Sequence, residues 1–196
     1  MAEDVTEELR DEPVEPDLLT SDLVYEGKVW DLRSDTFRYN GSEIVRQYVD
    51  HPGAVAIVAL DEQERVLLIQ QYRHPIRQRD WELPAGLLDV AGESPVDAAR
   101  RELAEEVDLE ATSWVPLVSM FTSPGGSDEV VRLFLARDLS RLEAFAREDE
   151  EADIRMEWVP LEDAVTAVLE GRIRNGIVMA GVFAAAERLR RVGAES

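Results

Sequence analysis

The chain has 196 residues, a formal net charge of −21 at pH 7 and no cysteine. This length suits one domain with a sizeable core, or a domain with an extension. The negative charge argues against duplex DNA or an anionic membrane surface as a partner, and the lack of cysteine excludes disulfides and thiolate chemistry. No run approaches about 18 apolar residues and no signal peptide is apparent, so we expect a cytoplasmic protein.

The N-terminal part of the chain divides into a tail and a small sheet. Residues 1–20 are rich in acids, and we expect them to form a disordered tail. The pattern over 21–50 predicts an antiparallel sheet, and Asn40-Gly41 inside it is a strong hairpin signal. A sheet this small cannot form a good core alone, so we expect it to pack on another surface.

The remaining residues, 51–192, have the pattern of one mixed α/β domain. Ser94 and Pro95 predict the start of a helix, because serine caps free N–H groups and proline suits the first helical position. The other predicted elements are strands at 23–26, 29–39, 43–50, 54–60, 66–72, 114–120, 130–136 and 156–159, a short strand and turn at 81–86, and helices at 161–170 and 177–191.

The helix after Ser94 combines an apolar stripe with a group of acids. Val96, Ala99, Leu103 and Val107 follow the 3/4 spacing of a buried face. Adjacent to that stripe, three glutamates occupy five positions and fall on one face at about 100° per residue. Like charges on one face repel unless a cation lies among them, and hard cations such as Mg²⁺ prefer oxygen ligands. A solvated charged face is the alternative, but the preceding strand and turn favour a metal site.

Residues 86–109 resemble the Nudix box, G-x5-E-x7-R-E-U-x-E-E-x-G-U, in which U is aliphatic. Gly86 opens the box, Glu93 is its first acid, and residues 101–106 match its central block. There are two departures. The first spacer has six residues instead of five, and Asp108 replaces the usual glycine, although aspartate tolerates the left-handed conformation that a helix end often needs.

Three flanking segments, 70–75, 81–86 and 123–129, narrow the resemblance to the ADP-ribose pyrophosphatase branch of the Nudix hydrolases. The resemblance implies an α/β/α sandwich around a mixed sheet and hydrolysis of ADP-ribose to AMP and ribose 5-phosphate with Mg²⁺, or Mn²⁺ as an alternative. It also implies a homodimer that exchanges its N-terminal sheets. Two alternatives stay open: a hydrolase of another nucleotide-sugar such as GDP-mannose, and a non-catalytic ADP-ribose-binding sensor.

The resemblance assigns the metal ligands by position. It implies that Glu102, Glu106 and the carbonyl of Ala85 bind the ion. Glu105 is a third ligand or an acid shared between two ions. Glu93 is either a ligand or an ordinary surface acid, because the longer spacer can shift it.

The resemblance also implies the reacting and substrate-binding groups. Glu151, or else Glu150, is the general base on an acidic loop, and Arg101 and Glu105 complete the catalytic set; a plain solvated loop is the alternative. The expected substrate-binding residues are Arg73 on a phosphate, Gly125 and Gly126 at a close approach, and Glu129 near the terminal ribose. Arg46 is expected near adenine or its ribose in the partner subunit, with a solvated arginine as the alternative. For Arg73 a surface ion pair, and for the 123–129 segment a plain turn, are the competing interpretations.

Overall fold

The computed structural model describes residues 9–143 and 154–194. It contains both strands and helices, and helix α1 lies between strands, as the sequence predicts for a mixed α/β protein. In chain order the elements are β1 (Asp17–Tyr25), β2 (Asp31–Tyr39), β3 (Ser42–Asp50), β4 (Ala54–Ala59), β5 (Arg65–Arg73), β6 (Gln78–Glu82), β7 (Ala85–Leu87), α1 (Pro95–Val107), β8 (Leu109–Phe121), β9 (Val130–Arg141), β10 (Arg155–Pro160), α2 (Leu161–Leu169) and α3 (Gly176–Ala194).

The strand β4 lies at the centre of the domain, and both of its faces are buried. Because side chains alternate along a strand, successive residues of β4 enter opposite cores. Val55 and Ile57 share one core with Leu103 of α1. Val58 shares the other core with Val182 of α3 and with residues of α2. Helices therefore cover both faces of the strand layer, and the predicted α/β/α sandwich is confirmed.

Two sheets form the middle layer. The order of the first is β7-β4-β9-β8, in which β4 and β9 are parallel and the other neighbours antiparallel. The second has the antiparallel order β10-β5-β6. A bridge between Leu60 and Val66 joins the two sheets where β4 leads into β5. The layer is therefore mixed, as predicted.

The short strand and turn predicted at 81–86 correspond to two strands, β6 and β7, which belong to different sheets. Leu83 and Pro84 separate them. Pro84 has no N–H to donate to a ladder, which favours a break between the two strands at this point. The Pro84 carbonyl instead accepts a hydrogen bond from the Ile57 N–H at 2.8 Å, which ties this turn to β4.

The predicted N-terminal sheet is present, with the antiparallel order β1-β2-β3. Asn40 and Gly41 have φ values of 49° and 76° at the β2–β3 turn, and two positive φ values are what a tight two-residue hairpin requires. The expected tail is too long, because β1 begins at Asp17 and not after residue 20. Asp17, Leu18 and Thr20 gain ladder partners on β2, which extends the strand into the expected tail.

Backbone hydrogen bonds connect this sheet to the rest of the protein. The Val49 N–H donates to the Gly126 carbonyl at 2.9 Å, and the Asp128 N–H donates to the Val49 carbonyl at 3.2 Å. The His51 N–H also donates to the Asp128 side chain at 2.9 Å. The end of β3 therefore holds the 123–129 loop. Among residues 9–143 and 154–194, no helix is long and apolar enough to cross a membrane.

We expect Gly181→Val to destabilise the protein by crowding the α3 side of the core. A Cβ atom at Gly181 would lie 2.6 Å from Leu83 Cδ1 and 3.0 Å from Val58 Cγ2. Overpacking a core costs about 1–3 kcal/mol, so the free energy of unfolding in urea should fall by that amount. Gly193→Val is the matched control on the same helix, where a Cβ meets nothing within 4 Å. An equal loss in both variants would contradict the crowding explanation.

Candidate active site

Helix α1 carries the acids of the candidate site, and both of its ends are fixed as the sequence predicts. Ser94 is the N-cap, and its side chain accepts from the Asp97 N–H at 3.3 Å. Asp108 is the C-cap in the left-handed conformation, with φ 55°, and its N–H donates to carbonyls of the last turn. The aspartate that departs from the motif's glycine therefore supports the helix end. The apolar stripe is buried at Ala99, Leu103 and Val107.

Two carboxylates of α1 are buried against the turn between β6 and β7. Glu106 is 7% exposed, and its Oε2 accepts a hydrogen bond from the Ala85 N–H at 2.9 Å. The Glu102 side chain, which is 13% exposed, lies against Gly86. A Cβ atom on Gly86 would lie 1.9 Å from the Glu102 Cδ and 2.0 Å from its Oε1. Only glycine therefore leaves room for the Glu102 carboxylate in this position.

Arg101 donates hydrogen bonds to three carboxylates, one of which belongs to this pair. Its Nε and Nη2 donate to the two oxygens of Glu93, at 3.1 and 3.0 Å. Its Nη1 donates to Glu102 at 2.5 Å and to Glu105 at 3.3 Å. The hydrogen bond to Glu93 contributes most to raising the pKa of Arg101 above its ordinary value. Arg101 and Glu105 thus form an i,i+4 pair, and the guanidinium orients several acids. The assignment of Arg101 to the catalytic set stays a prediction.

Glu105 does not join Glu102 and Glu106 in a buried group in the described structure, and its role as a metal ligand stays a prediction. The Glu105 side chain is 52% exposed and turns to Arg101. Successive helical positions differ by about 100°, so Glu105 is offset from the Glu102–Glu106 row towards solvent. Glu93, 16% exposed, is a partner of Arg101 and not an ordinary surface acid. Within residues 9–143 and 154–194, no three acidic or histidine side chains meet in an arrangement that could hold a metal ion.

The Glu102–Glu106 pair nevertheless fits a hard cation. Both groups are oxygen donors, both are largely buried, and they lie on the same helical row one turn apart. Two buried carboxylates so close favour either a bound cation or a proton. The space that Gly86 leaves at Glu102 and the contact of Glu106 with Ala85 bring both carboxylates to one backbone turn, as a metal site built on that turn requires.

Arg73, predicted to bind a phosphate, forms a two-point ion pair. Its Nε and Nη2 donate to the two oxygens of Glu82, both at 2.7 Å. Gln71 Nε2 also donates to Glu82, at 3.1 Å. Glu82 is 6% exposed and Gln71 is 5% exposed, so the acid of this ion pair is buried, and the phosphate role of Arg73 stays a prediction. The one signal for Glu82 in the sequence is a charged residue at an inward position of a strand.

A cavity of about 550 Å³ contains three of the predicted substrate-binding residues: Arg46, Gly125 and Gly126. It lies between the N-terminal sheet and the 123–129 loop, and its volume suits a small-molecule site. Asp35 also lines it, and the Asp35 Oδ1 atom is buried without a hydrogen-bond partner among the described residues. Burial, with Asp35 adding to it, raises the pKa of Tyr48 on the same wall.

Glu129 is next to this cavity but does not line it. Its carboxylate accepts from Thr122 Oγ1 at 2.6 Å and lies 3.7 Å from His51 Nε2. A second cavity, about 580 Å³ in volume and mostly apolar, lies between the start of α1 and β8. It contains none of the predicted site residues, so we do not connect it with the acid pair.

The family comparison agrees with this geometry. The family model described as NUDIX domain matches residues 50–180, which is more than half of the chain. The chain belongs to the Nudix family. The Nudix motif is therefore α1 with its preceding turn and loop, and the six-residue spacer leaves Glu93 bound to Arg101.

Two curated relatives are both named ADP-ribose pyrophosphatase. ADP-ribose pyrophosphatase of Mycobacterium tuberculosis is 48% identical over 167 residues, covering 85% of this chain and 81% of the relative. ADP-ribose pyrophosphatase of Bacillus subtilis is 37% identical over 156 residues, covering 79% of this chain and 84% of the relative. The crystal structure of an ADP compounds hydrolase superposes with a TM-score of 0.78 over 94% of this chain and 99% of its own, at 23% identity, which supports the fold.

One predicted part of the Nudix site lies outside the described residues. Glu150 and Glu151, the two candidates for the general base, fall between residues 143 and 154. Roles for Glu82, Gln71 and Asp35 were not predicted from the sequence. Each depends on a contact or a cavity between separate strands, which local sequence does not reveal.

We expect Gly86→Ala to weaken divalent-cation binding while leaving the fold intact. The added methyl group would displace the flexible Glu102 carboxylate and leave the β7 backbone in place. Removing an orienting contact at a metal site typically costs about 10–100-fold in affinity, and titration with Mn²⁺ followed by electron paramagnetic resonance would measure it. Gly176→Ala is the control, because a Cβ there meets nothing within 4 Å. Unchanged Mn²⁺ affinity in Gly86→Ala would contradict the site.

Proposed function

We propose that this Nudix protein hydrolyses the diphosphate bond of ADP-ribose and releases AMP and ribose 5-phosphate. The buried Glu102–Glu106 pair at the Ala85–Gly86 turn is the observation that carries the proposal. Support comes from the ADP-ribose pyrophosphatase of M. tuberculosis, which is 48% identical across 85% of this chain. A protein with a net charge of −21 needs local positive charge to hold an anionic substrate, and the site has arginines beside its acids.

We infer that Mg²⁺ is the metal, with Mn²⁺ as an alternative. Glu102, Glu106 and the carbonyl of Ala85 would hold it, and Glu105 and Glu93 are further candidates that Arg101 binds in the described structure. A bound Mg²⁺ neutralises diphosphate charge and lowers the pKa of a coordinated water.

The protein's own groups orient these acids and the substrate. Arg101 donates to Glu93 and Glu102, which fixes the Glu102 side chain beside Gly86. Arg73 presents a planar guanidinium, which pairs well with phosphate oxygens. The removal of the water's proton is assigned to Glu151, or else to Glu150, and a loop residue suits a base that closes over substrate.

We assign the cavity between the N-terminal sheet and the 123–129 loop to the nucleoside part of the substrate. Gly125 and Gly126 have no side chain to prevent a close approach of the substrate. Arg46, whose Nη1 donates to the Val45 carbonyl at 2.8 Å, supplies a positive charge. Glu129, held by Thr122 at 2.6 Å, is the candidate for the terminal ribose hydroxyls. Carboxylates accept hydrogen bonds from hydroxyl groups well, which suits this assignment.

We also propose that the protein is a homodimer joined through its N-terminal sheet. Several large apolar side chains of this sheet and its β1–β2 turn are exposed in the single chain, and exposed apolar surface of this extent usually marks an interface. They are Leu18, Leu19, Leu23, Val24, Tyr25, Val29, Trp30, Tyr39 and Val45. The cytoplasmic location expected from the sequence stays a prediction.

Incubation of the protein with ADP-ribose and Mg²⁺, followed by chromatography of the products, tests the function. We expect AMP and ribose 5-phosphate, and we expect EDTA to stop the reaction. Glu102→Gln should lower kcat/KM at least about 100-fold, because it removes a ligand whose charge the metal site requires. Glu162→Gln, the same change at an exposed residue of α2, should leave kcat/KM within about twofold of the wild type.

GDP-mannose, ADP-glucose and NAD in parallel incubations separate the alternatives. Faster cleavage of another compound than of ADP-ribose would assign the chain to that nucleotide-sugar. Equal rates on all of them would indicate a generalist. Binding of ADP-ribose by calorimetry with no product in Mg²⁺ would contradict the hydrolase and support a sensor.

Sedimentation equilibrium tests the dimer. We expect Leu23→Asp to shift the protein towards the monomer, because a charge placed in an apolar interface loses its hydration. Leu23 is 50% exposed in the single chain. Leu169→Asp is the control, since Leu169 is 73% exposed at the end of α2, away from the N-terminal sheet. A wild-type protein that sediments as a monomer at all concentrations would contradict the proposal.

A further inference from the structure

Glu82 is a buried carboxylate to which no role has so far been assigned. It is 6% exposed at the end of β6, in a protein that already carries a large excess of negative charge. A buried carboxylate is costly unless its oxygens are paired and hydrogen-bonded. Glu82 meets that condition through two side chains of the neighbouring strand β5, Arg73 and Gln71.

The three side chains form one connected network. Glu82 Oε1 accepts from Arg73 Nε at 2.7 Å, and Glu82 Oε2 accepts from Arg73 Nη2 at 2.7 Å. Gln71 Nε2 adds a third donor to Oε2 at 3.1 Å. A carboxylate bound to a guanidinium at two points fixes the plane of that group as well as its position. Gln71 is itself 5% exposed, so the carboxylate that fixes Arg73 is in turn held by a buried amide.

Glu82 engages the side edge of the Arg73 guanidinium, which is formed by Nε and Nη2. The end edge, formed by Nη1 and Nη2, is the one we assign to the substrate. The Arg73 side chain is 46% exposed, so the group is anchored at a buried acid and also reaches solvent. Arginine has a large rotamer entropy, and a guanidinium that is already fixed loses less of it when it binds a phosphate.

Along the chain, the network also lies close to Ala85, which contacts the Glu102–Glu106 pair. Glu82 ends β6, and Ala85 begins β7 three residues later and donates to Glu106 at 2.9 Å. Consecutive Cα atoms are about 3.8 Å apart, so the Cα atoms of Glu82 and Ala85 are separated by at most about 11 Å. One short turn therefore supports both the anchored arginine and a buried carboxylate of the metal site.

We propose that Glu82 is a positioning residue that acts through Arg73, holding the guanidinium in the orientation that binds the substrate diphosphate. This inference rests on the proposed function, because the diphosphate is that of ADP-ribose. Glu82 itself contacts neither the substrate nor the metal. Its removal should therefore weaken substrate binding only while Arg73 is present.

A double-mutant cycle between Glu82→Gln and Arg73→Ala tests this dependence. Glutamine keeps the shape but has one acceptor oxygen for three donors, so Arg73 loses its two-point contact. We expect Glu82→Gln to raise the KM for ADP-ribose, and the Kd measured by calorimetry in EDTA, about tenfold, with kcat within about threefold of the wild type. The double variant should have the same KM and Kd as Arg73→Ala alone. Independent, multiplying effects of the two changes would overturn the proposal.

The control is Glu187→Gln on α3, which also removes a glutamate paired with arginine. Arg190 and then Arg191 donate to Glu187 and lower its pKa to about 2. We expect no change in KM or Kd for this variant. If Glu82→Gln does not fold, Glu82→Asp replaces it, because aspartate keeps the charge and shortens the reach to the guanidinium.

A second readout does not depend on hydrolysis. The Arg73 Nε–H should have a high NMR order parameter in the wild-type protein and a clearly lower one in Glu82→Gln. An equally ordered Arg73 in both proteins would overturn the proposal, even if ADP-ribose is cleaved. A wild-type protein that does not cleave ADP-ribose would refute the proposed function, and the order parameters would then decide the positioning role on their own.

Discussion

The candidate site depends on the contact between helix α1 and the turn that begins β7. The Ala85 N–H binds Glu106, and the neighbouring Gly86 leaves the space that the Glu102 carboxylate occupies. Both contacts require the helix at a short and fixed distance from the strand. The apolar stripe of α1 supplies that distance, because Leu103 packs in the same core as Val55. Core packing on one side of the helix therefore sets the position of the acids on the other side.

Arginine side chains pair with the carboxylates around this contact. Arg101 binds Glu93, Glu102 and Glu105, and Arg73 binds Glu82. Paired charges of this kind stabilise little when they are exposed, but they fix the direction of side chains when they are partly buried. In this protein they orient the carboxylates in a chain whose net charge is strongly negative.

Local patterns in the sequence predicted much of the fold. The Ser94 cap, the left-handed Asp108 and the Asn40–Gly41 hairpin each depend on residues within a few positions, and the structure confirms all three. The start of β1 at Asp17 did not follow from sequence, because its strand character comes from pairing with β2. Pairing between strands is a long-range property that single-sequence patterns carry only weakly.

The site was predicted only in part, because some of its contacts also depend on residues that are distant along the chain. Helical spacing placed Glu102 and Glu106 together, but it did not show that Glu105 turns to Arg101 and solvent. The Glu82 network was missed because it depends on the antiparallel alignment of β5 and β6, which brings Gln71 and Arg73 beside Glu82. The loop candidates for the base lie outside the described residues and stay predictions.

The hydrogen bonds between β3 and the 123–129 loop have a consequence for shortened versions of the protein. A chain cut at residue 50 would keep the whole Nudix match nearly intact, yet the Gly126 carbonyl and the Asp128 N–H would lose their Val49 partners. Backbone groups that lose a partner return to water and release the loop that carries them. The N-terminal sheet therefore belongs to the smallest unit that keeps the cavity beside the 123–129 loop intact, although it lies outside the residues that the family model matches.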